Sequence, residues 1–217
     1  MPDVALYERR FSPAERRAKD ALWKVLCEDF FQRYVRPTDT VLDVGAGECE
    51  FVNNIRCARK IALDADERVR ARAAAGVETR CGPAHDLAWL ADASIDVAFA
   101  SNVFEHFARK DDVLTALREL RRVLRPGGRL LVLQPNIRYA YKIYWDFFDH
   151  HLPFSHRAMV EALELAGFTL REVRPRFLPY TTKGRLPVWP ILVRLYLRVP
   201  LAHRLLGQQM FLVGERA

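Results

Sequence analysis

The sequence predicts an α/β protein, with a doubly wound, mostly parallel sheet covered by helices on both faces. Three observations carry this expectation. From Thr40 onward, short apolar runs alternate with helix-forming segments, as repeated strand–helix–strand units require. The first run, 41–44, leads straight into Gly45-Ala46-Gly47, a tight strand-to-helix turn at the end of the sheet where ligands bind. The last two apolar runs, 168–176 and 210–213, lack a crossover helix of the earlier kind. They are expected to pair antiparallel around an insertion.

The elements follow in order. Residues 13–35 read as an amphipathic helical region, with Ala18, Ala21, Leu22, Val25, Leu26, Phe30 and Phe31 at helical spacing behind Ser12 and Pro13 in cap and first-turn positions. Pro37 ends it. Strands are expected at 40–44, 60–63, 77–80, 95–100 and 129–133. Helices are expected from 51, over 67–75 and over 112–124, the last stopped by Pro126-Gly127-Gly128. Ser155 caps a further helix that ends at Gly167. Prolines 187, 190 and 200 restrict the stretch before the last strand to short helices.

At 217 residues the chain suits one domain with a sizeable core. Its divisions are a helical cap over 1–37, a cofactor-binding core over 38–180, a basic apolar insertion over 181–207 and a last strand over 208–217. Half of the residues are hydrophobic and 28% are charged, which excludes a disordered or fibrous protein. No apolar run reaches the roughly 18 residues of a membrane span. The charged N-terminus lacks a signal peptide's apolar core. A cytoplasmic location follows, at the inner face of the membrane if the insertion touches lipid. Cys27, Cys49, Cys57 and Cys81 form no C-x-x-C pair, so a zinc ribbon or redox motif is disfavoured and free thiols are expected. The net charge is +7, and from Gly167 onward nine basic residues face only Glu172 and Glu215, so the last quarter holds the whole excess. Such a tail suits an anionic partner, and serves equally as a solvated face.

The chemistry concentrates at the first turn. Glycines allow a sharp bend and a close approach by a ligand. Asp64 ends the next strand, about 20 residues on, where a carboxylate accepts from a ribose diol. Together they favour an adenosine-containing cofactor. Glu50 stands where a dinucleotide site needs a third glycine, and Asp43 lies inside the turn. These acids would repel a pyrophosphate and suit an ammonium and a sulfonium. They favour S-adenosylmethionine over NAD.

The motifs resemble those of the class I S-adenosylmethionine-dependent methyltransferases. VLDVGAG (41–47) resembles the family's first motif and IALDAD (61–66) its second. His85-Asp86-Leu87 resembles the third, SNVFEHF (101–107) the motif after the fourth strand, and LRRVLRPGGRLLVLQPN (120–136) the helix, turn and fifth strand. The stretches 144–156, 177–187 and 207–216 further resemble a bacterial small-molecule or glycan-type subgroup. The resemblance implies a seven-stranded Rossmann-like sheet with its last strand antiparallel. It implies cofactor contacts from Asp43, Gly45, Ala46, Gly47, Asp64, Ala65, Asp86, Leu87, Ser101 and Asn102. It also implies in-line methyl transfer with S-adenosylhomocysteine as product. Cys49 replaces a third glycine of the pattern, where a side chain would crowd the methionine end of the cofactor.

Methyl transfer to a hydroxyl needs a base, and histidine suits that task near neutral pH. His106 follows the fourth strand. His150 and His151 follow the fifth and point differently, being adjacent, whereas His156 is expected to face solvent. Glu105-His106 resembles part of a metal-dependent subset of the family, but Asn102 stands where an acid would complete it. A neutral amide is a poorer ligand for a hard cation, so no metal is expected. Tyr144, Trp145 and Asp146 are the candidate substrate contacts, in a stretch rich enough in aromatics to be packing alone.

The acceptor is expected to be an oxygen of a small molecule, a saccharide or a lipid-linked glycan intermediate. The alternative is a nucleic-acid methyltransferase that uses the basic tail. Against it, the Pro-Pro-aromatic motif of base amino methyltransferases is absent after the fourth strand, and the tail's bases are interleaved with large apolar residues. Over 183–207 the same interleaving fits peripheral contact with anionic lipid, and equally a lid or a dimer contact.

Overall fold

The computed structural model describes residues 13–180 and 189–217. The charged segment 1–12, and Lys183, Arg185 and Pro187 of the expected insertion, lie outside the described residues. Seven strands form one sheet: β1 (Thr40–Val44), β2 (Arg59–Asp64), β3 (Val77–Cys81), β4 (Ile95–Ser101), β5 (Leu124–Pro135), β6 (Phe168–Arg174) and β7 (Gln209–Arg216). Their order is β3-β2-β1-β4-β5-β7-β6. The first five pair parallel. β7 runs antiparallel between β5 and β6, as the missing crossover helix predicted.

The helices are α1 (Pro13–Asp29), α2 (Glu50–Asn54), α3 (Val69–Arg72), α4 (Lys110–Val123), α5 (Ile137–Tyr144), α6 (His156–Leu165), α7 (Pro190–Arg198) and α8 (Pro200–Leu206). The first helical region is shorter than expected, because the chain leaves α1 at Asp29 and makes a separate 3-10 turn, Phe31–Tyr34. α3 is a single turn where 67–75 was expected. Val69 is its only fully buried side chain, so helix propensity had no apolar stripe to pack. β5 starts earlier than residue 129. Leu124 already pairs with Ile95, and the Pro126-Gly127-Gly128 excursion is absorbed as a register shift between Ile95 and Val97. Helix α5 has no counterpart among the sequence expectations. Asn136 caps it by accepting from the Arg138 amide.

The central strands are apolar on both faces, which is why they read as unbroken runs. On one face Leu130, Val132, Met210 and Leu212 pack with Leu117 and Leu120 of α4 and with Met159 and Leu163 of α6. On the other, Leu131, Leu133, Phe211 and Val213 pack with α1, the following turn and Phe177. Phe51 stacks on Phe99 with ring centroids 3.8 Å apart. The chain order reverses between β1 and β4, and the ends of those strands open the crevice where a ligand binds in such sheets.

Candidate active site

The turn after β1 is fixed by its neighbours. Gly45 and Gly47 have φ of +66° and +54°, left-handed values that side chains resist. A Cβ on Gly45 would sit 2.4 Å from Cγ2 of Val103, so the turn from β1 and the turn from β4 touch only because residue 45 lacks a side chain. On Gly47 the same atom would meet nothing nearer than 4.0 Å, which leaves that side open. Asp64 ties the turn to β2: its carboxylate accepts from the Gly47 amide at 2.7 Å and from the Asp66 amide at 2.8 Å. Each oxygen retains a lone pair for a further donor. Arg72 closes the outside, pairing with Glu48 at 2.9 Å and with Asp66 at 3.3 Å.

Three further residues at this turn are held by the fold. Asp43 is almost fully buried and accepts from the Val52 amide inside α2 at 3.3 Å. Burial, with Glu50 and Asp64 nearby, pushes its pKa well above the usual carboxylate range. Glu50, read as an acid that would repel a pyrophosphate, is paired with Lys19 at 2.8 Å. Cys49 holds φ +61°, but its side chain packs under the loop with Ala46, Val52, Ala62 and Val69. It does not project toward a ligand. The same burial and surrounding acids push its thiol up to about 12.

The remaining expected cofactor residues ring the mouth at different depths. Asp86 and Ala65 are exposed, whereas Ala46 and Leu87 are buried. The Leu87 carbonyl accepts from Arg122 at 2.9 Å, so its side chain is core and its position anchors Asp86. Ser101 and Asn102 are half-buried at the end of β4. Asn102 has φ +52°, its Nδ2 donates to the Ser101 hydroxyl at 3.3 Å, and its Oδ1 is buried with no partner among the described residues.

Beside this lies a buried polar cluster. Glu105 is fully buried and accepts from Gln134 Nε2 at 2.7 Å through Oε2, while Oε1 has no partner among the described residues. Burial raises its pKa, opposed by His106. Its carbonyl accepts from the amides of His151 and Leu152, which seats the loop before α6 against the end of β4. His106 and His150 lie with ring centroids 5.1 Å apart. His106 Nδ1 is 2.9 Å from the Asp149 carbonyl oxygen and 3.5 Å from its carboxylate. Since a carbonyl only accepts, Nδ1 carries the proton and Nε2 keeps its lone pair. His150 is buried beside Phe147 and Tyr144 and lies 3.2 Å from the Tyr180 hydroxyl through Nε2. His151 is exposed.

One ligand atom from each of Glu105, His106 and His150 lies within 4.8 Å of the others. A divalent ion holds such donors at about 2.0–2.2 Å, so the three would have to close slightly to grip one. His156, expected in solvent, is half-buried with Nδ1 3.0 Å from Asn136 Nδ2. The substrate candidates separate. Trp145 and Asp146 are exposed, but Tyr144 is fully buried and its hydroxyl donates to the Leu152 carbonyl at 2.6 Å, because a buried phenol needs an acceptor. Gln134, Asp149 and Tyr180 were not expected from the sequence. A second groove, of about 150 Å³, lies among Tyr34, Arg36, Asp39, Asp96 and Arg125. It is at the opposite, amino-terminal end of the strands. Its carboxylates are already committed, Asp96 to Arg125 and the Thr40 amide, and Asp39 to the Arg36 amide.

Residues 42–132 match a family model described as a methyltransferase domain. A probable methyltransferase of Aspergillus luteorubrus is 32% identical over 118 residues, covering 46% of this chain and 41% of that protein. An uncharacterized 37.1 kDa protein in a Streptomyces fradiae transposon is 37% identical over 112 residues, covering 46% of this chain and 31% of that protein. The chain thus spans less than half the length of either of these curated relatives. A solved S-adenosylmethionine-dependent methyltransferase of Archaeoglobus fulgidus shares the fold, with a TM-score of 0.70 at 19% identity over 98% of this chain and 99% of that one. The stretch 42–132 is thus similar to methyltransferase domains, and the described chain shares its fold with a solved S-adenosylmethionine-dependent methyltransferase.

Proposed function

We propose that the chain transfers a methyl group from S-adenosylmethionine to an oxygen of a small molecule, a saccharide or a lipid-linked glycan intermediate. The observation that carries the reading is the contact of the Gly45 turn with Val103, which sets an acid-rich cofactor cradle beside a histidine with a fixed tautomer. The cradle fits the cofactor: Asp64 has lone pairs left for a ribose diol, Asp86 stands exposed at the rim for an adenine amino group, and Gly47 is open. The buried, unpartnered Oδ1 of Asn102 offers an acceptor on the facing side. When bound, the cofactor supplies an electrophilic methyl group on a sulfonium.

This chain's residues do the rest by alignment and proton handling. His106 takes the acceptor's proton at Nε2. Asp149 is the positioning residue: its carbonyl fixes the tautomer and its carboxylate, 3.5 Å away, steadies the imidazolium. Trp145 and Asp146 are the acceptor-side contacts, and His151, exposed on the same loop, is the second candidate base. His150 and Tyr144 act by packing.

The test incubates the protein with methyl-labelled S-adenosylmethionine and a cell extract, then partitions the products between organic and aqueous phases. Protein-dependent label is expected, in the organic phase for a lipid-linked acceptor and in the aqueous phase for a soluble one. His106→Gln is expected to lower transfer by about 10²-fold with S-adenosylhomocysteine affinity unchanged. Full transfer by that variant would move the base to His151, and a protein that neither labels nor binds S-adenosylhomocysteine would end the reading.

A further inference from the structure

Helices α7 and α8 present an apolar surface with nothing packed on it among the described residues. Their inner side is anchored. Val193, Tyr196 and Leu197 pack on the second core face, the Tyr196 hydroxyl donates to the Phe177 carbonyl, and His203 Nε2 lies 2.9 Å from the Tyr196 carbonyl. This fixes which side faces out. There Ile191, Leu195, Leu201 and Leu205 are 58–67% exposed, on consecutive turns. Single exposed leucines are ordinary, but a contiguous apolar surface on one element pair marks a contact site.

Charge selects the occupant. No acid occurs from Trp189 to Leu206, and Arg198 and Arg204 stand exposed beside the leucines. A second copy of this chain docking face to face would bring those arginines together with no carboxylate to pair them. An anionic lipid surface satisfies both halves of the pattern, taking leucines into its acyl boundary and arginines among its headgroups. No helix among the described residues is long and apolar enough to cross a membrane, so the contact lies in the plane of the interface.

The surface also adjoins the mouth of the site. α8 runs through Gly207 into β7, whose Gln209 pairs with Pro135 at the carboxyl end of β5. Arg176 donates to the carbonyls of Leu205 and Gly207 at 2.7 and 2.8 Å, and its guanidinium lies 4.6 Å from the ring centre of Tyr139 in α5. α5 then leads to the exposed Trp145. We infer that the α7–α8 face docks on an anionic lipid surface and holds the mouth of the site at the headgroup level. The docking stands on this surface and not on the methyl-transfer reading.

The experiment is flotation of the full chain with phosphatidylcholine vesicles, with and without phosphatidylglycerol. The wild type is expected to float with the anionic vesicles about tenfold more than with the neutral ones, and to be released by high salt. Leu195→Glu with Leu205→Glu, both on the exposed side, should abolish flotation while leaving the thermal shift by S-adenosylhomocysteine intact. Arg198→Gln with Arg204→Gln should remove the preference for anionic vesicles. Wild-type protein that stays in solution, or a double-Glu variant that still floats, overturns the inference. So does a dimer that the double-Glu change splits to monomers with no flotation by either form, which would make the face an interface between copies.

Discussion

Gly45 shows how a single residue sets the site. Its left-handed φ and the 2.4 Å approach of Val103 act on any replacement together. Gly45→Ala is expected to cost about 2–4 kcal/mol, from a left-handed alanine and overpacking, measured by urea unfolding. Val103→Ala in that background should return the overpacking part and leave the backbone part. Glu105 makes a different prediction. Its folded-state pKa is raised from the ordinary 4.5 by burial, so its contribution to stability is full below pH 4.5 and is lost as pH rises through the raised value. Asp43 has a shift of the same sign. Glu105→Gln keeps an oxygen for the Gln134 amide and removes the charge. Unfolding free energy measured from pH 4.5 to 8 should therefore fall less steeply in the variant than in the wild type; an equal slope would assign the pH dependence to Asp43.

At the scale of elements, the start of α5 joins separated parts of the chain. Asn136 caps α5, and its Nδ2 donates to the Pro175 carbonyl after β6 at 2.7 Å. Asn136→Ala should cost about 2–4 kcal/mol, a cap plus a buried carbonyl left unpaired. Ser155→Ala, which removes only the cap on the Ala158 amide, should cost about 1 kcal/mol. The comparison also explains what the sequence could convey. The first strand, the glycine turn and Asp64 were legible because strand, turn and acid lie within one short βαβ unit with local period and spacing. Helix α5 was not, since dense aromatics hid the Asn136 cap and the Ala140–Tyr144 spacing. α3 was overread, because alanines and arginines favour a helix that tertiary contacts hold to one turn. The partners Gln134 for Glu105, Asp149 for His106 and Tyr180 for His150 lie 29, 43 and 30 residues away. No periodicity encodes such pairs; they arise from the neighbouring of β4 and β5 and from the loops that follow β5 and β6.

For the whole molecule, the sheet order decides where binding energy acts. The turns after β1, β2, β3 and β4 carry Gly47, Asp64, Asp86 and Asn102, so a ligand that touches all four ties together strands across the central and outer half of the sheet. The basic tail does not compete for this role. Arg171 pairs with Glu215, Arg174 with Glu172, and Arg194 with Asp29 and Glu28, so part of its charge is already matched by carboxylates of this chain rather than aligned along a phosphate-tracking groove. A ligand that binds only the folded chain stabilises it by RT ln(1 + [L]/Kd), about 2.7 kcal/mol at a hundredfold excess over Kd. For a chain of this size that is a rise in Tm of roughly 5–11 °C. S-Adenosylhomocysteine should produce this shift in scanning calorimetry, and NAD should not, because Glu50 at the head of α2 fills the position where a pyrophosphate needs a glycine. Asp64→Asn places an amide against the N–H of Gly47 or Asp66, so it should weaken binding by about 1–3 kcal/mol and reduce the shift in proportion. A variant with the full shift would remove Asp64 from the cofactor's contacts and leave it as a brace of the glycine turn.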